Sequence, residues 1–60
     1  MVNLDKATFI GEGKWVKDAA NQVYEQDGRY YVVTVIDPLN KEIMEELTIE
    51  IEKKDINKYI

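Results

Sequence analysis

The chain has 60 residues, a formal net charge of −4, and neither cysteine nor histidine. Disulfides, thiolate metal sites and imidazole chemistry are therefore excluded, and the length allows one small domain, residues 1–60. A chain this short buries only ~60% of the surface it exposes when unfolded, so its core is small.

The chain starts with Met1, which suggests a complete small gene product. "MVNLDKATFI" has no basic n-region and no long apolar h-region, so it does not read as a signal peptide. No apolar run approaches the ~20 residues that span a bilayer. The expected setting is soluble and cytoplasmic, with no membrane partner.

A first strand is expected over Ala7 to Ile10, extending towards Val16. Gly11 and Gly13 follow it and suggest a bulge or sharp bend. "GEGK" lacks both phosphate-loop spacings, and Glu12 between the glycines would repel phosphate.

Residues 14–26 admit two readings. Trp15, Val16, Ala19, Ala20, Val23 and Tyr24 recur at helical spacing, with Gly28 as a C-terminal cap. Alternatively the segment holds a loop at "DAAN" and a strand from Gln22. Asp27-Gly28 supports the strand, because a two-residue type I′ hairpin turn needs positive φ at both central residues. That hairpin would set Tyr24 opposite Tyr31 and Val23 opposite Val32, both good cross-strand pairs.

"RYYVVTVID" is the strongest strand. Tyr30, Val32, Thr34 and Ile36 point one way; Tyr31, Val33 and Val35 point the other. With both faces apolar, it should be a central strand. "DPLNKE" has turn chemistry, with Asn40 the candidate for a left-handed conformation. A last strand is expected from Ile43 to Lys53. Strict alternation places Ile43, Leu47, Ile49 and Ile51 towards the core, and Met44, Glu46, Thr48, Glu50 and Glu52 on the other face.

The expected fold is mainly β: a small antiparallel meander, or an SH3-like barrel of four to five strands. The alternative is α+β, a β-α-β-β arrangement with one helix at 14–26 on a three-stranded antiparallel sheet. Both contain a hairpin over residues 29–53, closed near Pro38 to Lys41.

Enzymatic chemistry finds little support. There is no serine, and the usual triad needs a histidine base. Paired carboxylates work in clefts that so small a chain can hardly enclose. Glu46, Glu50 and Glu52 project in parallel from a strand and do not converge on a cation. The chain is read as a non-enzyme with no cofactor and no metal. One arginine and a negative balance argue against direct nucleic-acid contact.

Two groups are left as partner-binding candidates. Residues 42–52 hold five glutamates and no base. Glu46, Glu50 and Glu52 would form a row at ~6.6 Å spacing, twice the strand rise. That pitch resembles a phosphate backbone, although acids on an edge strand also block unwanted pairing. The second group is aromatic: Trp15, Tyr24, Tyr30 and Tyr31. Tyrosine and tryptophan suit interfaces because each joins an apolar ring to a polar tip.

The leading functional expectation is a small acidic, non-catalytic protein-binding module. One form of it is an inhibitor acting by occlusion or charge mimicry, of phage or mobile-element type. The alternatives are a structural or assembly protein that forms a homo-oligomer, and a small nucleic-acid-binding β-barrel. A homodimer is expected, joined edge to edge or through an aromatic face around Trp15, Tyr24 and one of Tyr30 and Tyr31.

Overall fold

Four strands follow one another among the described residues: β1, Thr8–Glu12; β2, Ala19–Gln26; β3, Arg29–Ile36; and β4, Glu42–Ile51. A short 3-10 helix, Lys53–Lys58, comes last. This is a computed structural model, and it describes residues 3–60. Met1, which bears the reading of a complete gene product, lies outside those residues.

The strands form one antiparallel sheet in the order β1-β2-β3-β4. The meander expectation therefore holds. The sheet is open, and no fifth strand follows the 3-10 helix among the described residues.

The helix over 14–26 does not form, since Ala19–Gln26 is a strand. The reason is local. Asp27 and Gly28 both take positive φ, 55° and 79°. That two-residue turn folds residues 23–26 directly onto 29–32, which a helix there would prevent. Tyr24 pairs with Tyr31 and Val23 with Val32, in the register read from the turn. Upstream, Val16 and Ala19 bridge across a tight turn with Lys17 at φ 59°. The glycine-rich segment is irregular as expected, with the β1–β2 register shifting between Phe9 and Gly11.

β3 and β4 form the expected hairpin, closed by residues 37–41. Positive φ falls on Asp37 (65°) and Lys41 (51°), not on Asn40. The Asp37 carboxylate dictates this. Its Oδ1 accepts the Leu39 and Asn40 amides at 3.0 and 3.3 Å, and its Oδ2 accepts Asn40 Nδ2 at 2.8 Å. Such a side-chain cap shapes the turn around the aspartate.

The strict alternation expected for β4 is broken. Tyr30, Tyr31 and Val32 pair with Ile51, Glu50 and Ile49, whereas Thr34, Val35 and Ile36 pair with Met44, Ile43 and Glu42. Between Val32 and Thr34, β3 advances two residues while β4 runs back five, from Ile49 to Met44, so β4 carries three extra. An odd excess exchanges the faces of a strand. Met44 thus shares a face with Ile49 and Ile51, while Ile43 shares the other with Glu50. Leu47 and Ile49 are 49% and 47% exposed, so neither is the core residue that alternation implied.

Among the described residues the buried apolar core is Ala20, Val23, Val32, Val33 and Val35, of which Val23, Val33 and Val35 are fully enclosed. Val23 and Val32 lie on one face of the sheet; Val33, Val35 and Ala20 lie on the other. On the first face the C-terminus crosses to β1, bringing Ile60 against Gly11 and the Tyr59 carbonyl against Gly13. Towards the second the sheet curls. Lys41, just before β4, reaches within 3.7 Å of Glu12 on β1, at the far edge of the strand order.

Candidate partner-binding face

The register of the four strands aligns one row of side chains across the sheet. Phe9 on β1 pairs with Tyr24 on β2, Tyr24 with Tyr31 on β3, and Tyr31 with Glu50 on β4. Paired residues in adjacent strands point to the same face, so all four side chains project together. The Phe9 and Tyr24 rings meet edge to face, with centroids 5.5 Å apart and planes at 67°. Phe9 is 53% exposed at one end of the row, and Tyr24 and Tyr31 are half-buried. Glu50 closes the other end, with its Oε1 3.8 Å from Arg29 Nη1.

A polar cluster braces the row from one side. Glu12 accepts hydrogen bonds from Trp15 Nε1 at 3.0 Å and from Gln22 Nε2 at 2.8 Å. Gln22, the one buried polar residue among those described, accepts from the Tyr24 hydroxyl at 2.8 Å. The bonds from Gln22 and Trp15, with the nearby Lys41 charge, hold the Glu12 carboxyl below the ordinary 4.5. Burial and the Glu12 charge push the Tyr24 phenol above its ordinary value. Buried polar groups satisfied in this way fix the side chains that carry them.

This cluster makes a pH prediction. A carboxyl whose folded-state pKa is depressed stabilises the fold above its unfolded value, and loses that contribution as pH falls through the folded value. The melting temperature should therefore drop on acidification below about pH 4.5, the ordinary glutamate value. Glu12→Gln should lower the melting temperature at neutral pH and flatten the acid drop. Asp37, held low by the Leu39 and Asn40 amides, supplies a residual slope. Parallel acid limbs for the two proteins would remove Glu12 from the explanation.

The structure treats the candidate residues unequally. Tyr24, Tyr31 and Glu50 stand in the row. Trp15 is half-buried and joins the same face through Glu12. Tyr30 lies on the opposite face, paired with Glu25 and Ile51. The glutamate row at constant pitch does not exist. Glu46 falls within the irregular stretch of β4, and Glu52 lies past the strand end, 3.3 Å from Lys54. Among the described residues, no three acidic side chains gather into a group suited to hold a cation. Phe9, Glu12 and Gln22 were missed as site residues. Their roles depend on the β1–β2 register, which no turn signal specifies.

No protein-family model matches the chain, and no curated protein or solved structure matches it either.

Proposed function

We propose that the chain is a small, non-catalytic binding module that takes a protein partner on the face carrying Phe9, Tyr24, Tyr31 and Glu50. The supporting observation is the register that sets three aromatic rings in line with an exposed carboxylate. Partly exposed aromatic rings supply contact area at low entropic cost, and few other side chains serve as well as binding anchors. The fitting partner segment is apolar with a basic residue at the Glu50 end. Covering such a segment is also how the module would act as an inhibitor. A cytoplasmic setting belongs to the same proposal. No helix among the described residues is long and apolar enough to cross a membrane.

The test compares proteins captured from cell extract by immobilised wild type, Phe9→Ala and Glu50→Lys. Both side chains are exposed, so Glu50→Lys should change stability by ~0.5 kcal/mol or less. With a captured partner purified, Glu50→Lys should slow association, most strongly at low salt. Phe9→Ala should speed dissociation. Equal capture and equal kinetics for all three proteins would move the contact surface elsewhere.

A further inference from the structure

The end of the sheet that holds the β1–β2 and β3–β4 loops supplies none of the four residues of the proposed row, although Trp15 and Lys41 reach from it to Glu12. A hydrogen bond from the Asp37 amide to the Asp18 carbonyl, 2.9 Å, holds the two loops side by side. Leu39 stands at the tip of the second loop and is 93% exposed, the most exposed large apolar side chain described. The turn under it is locked by the three bonds to the Asp37 carboxylate and by the Lys41 amide on the Asp37 carbonyl at 2.7 Å. An apolar side chain on so fixed a turn loses little freedom when it is buried. Beside the first loop is a shallow hollow of about 210 Å³, lined by Lys14, Val16, Ala19, Ala20, Asn21 and Thr34. Val16 on its rim is 71% exposed.

We propose that this end is a self-association surface, where Leu39 of each copy enters the hollow beside Val16 of the other. A knob and a hollow on one patch suit a two-fold contact, in which each copy gives what the other receives. Charge selects a second copy over a strongly acidic or basic partner. Residues 14–18 and 37–42 carry Lys14, Lys17 and Lys41 against Asp18, Asp37 and Glu42, three of each sign. The chain's net −4 therefore resides elsewhere. Two copies meet here without net repulsion, whereas β4 would set glutamates of both copies along one seam. The slender core adds a motive, because valine and alanine are its only buried apolar side chains among the described residues.

Sedimentation velocity from micromolar to millimolar protein tests this surface. Wild type should shift from monomer to dimer as concentration rises. Leu39→Asp and Val16→Asp should each weaken association ~10-fold or more, as loss of an interface anchor does. Both positions are exposed, so circular dichroism should report an intact fold. Leu39→Met keeps an apolar knob and should still associate. Phe9→Ala and Glu50→Lys should associate like wild type, which separates this surface from the partner-binding face. A balanced contact should also respond little to salt. A wild type that stays monomeric throughout, or a Leu39→Asp variant that dimerises equally well, would overturn the proposal.

Discussion

Val33→Asp is expected to abolish the cooperative unfolding transition altogether. Val33 is fully enclosed, sits mid-strand in β3 and pairs with Gln22 of β2. A carboxylate there would be enclosed on the face that already holds the Glu12 carboxylate and Gln22, and an uncompensated buried charge costs several kcal/mol. A 60-residue domain has ~3–9 kcal/mol of stability in total, at ~0.05–0.15 kcal/mol per residue. The penalty is comparable to the whole. Leu47→Lys and Ile49→Lys should behave differently. These side chains are already about half exposed, so each change should cost ~1 kcal/mol or less and keep a cooperative melt. Thermal denaturation of the three variants checks the claim. If Leu47→Lys unfolds while Val33→Asp melts normally, the register of β3 and β4 is wrong.

Gly13→Ala is expected to lower the melting temperature substantially, through contact with the C-terminus. A Cβ at Gly13 would run into the Tyr59 carbonyl oxygen, which is backbone and cannot swing aside. Overpacking of this kind costs ~1–3 kcal/mol. For a domain of this size each kcal/mol shifts the midpoint by ~4–8 °C. The Gly13 amide also donates to the Asn21 carbonyl at 2.8 Å, so the backbone cannot retreat without breaking a ladder bond. Gly11→Ala provides the comparison. Its added Cβ would lie 2.6 Å from Ile60 Cδ1, the tip of a flexible side chain near the chain end. That side chain can turn away, so the loss should be smaller. Equal melting of Gly13→Ala and wild type would mean that Tyr59 is not seated against Gly13.

The candidate site was legible only in part. Tyr24 and Tyr31 were readable as a pair, because the Asp27-Gly28 turn lies between them and sets their register. Glu50 was readable as an exposed acid but not as the neighbour of Tyr31. Its face depends on three extra residues in β4, which nothing in "EELTIEIE" marks. Strict alternation was the natural expectation there, and it put Met44 opposite Ile49 when they share a face. The loop that carries Leu39 was recognised as a turn from Asp37 and Pro38. Its place beside Asp18 depends on a hydrogen bond between segments distant in sequence.

The sequence by itself determined the β character of residues 29–36, the two turns that bound them and the antiparallel hairpin of β3 and β4, while it left residues 14–26 open between strand and helix. Those features arise from backbone preferences acting within a few residues, such as positive φ at Asp27 and Gly28. Only the tertiary structure decided the break in β4, the covering of β1 by Tyr59 and Ile60, and the use of Glu12 as acceptor for Trp15 and Gln22. Each of these depends on which distant surface supplies cover or a hydrogen-bond partner. A residue's neighbours in the chain carry no record of that choice, because it is made by packing after the local turns have formed.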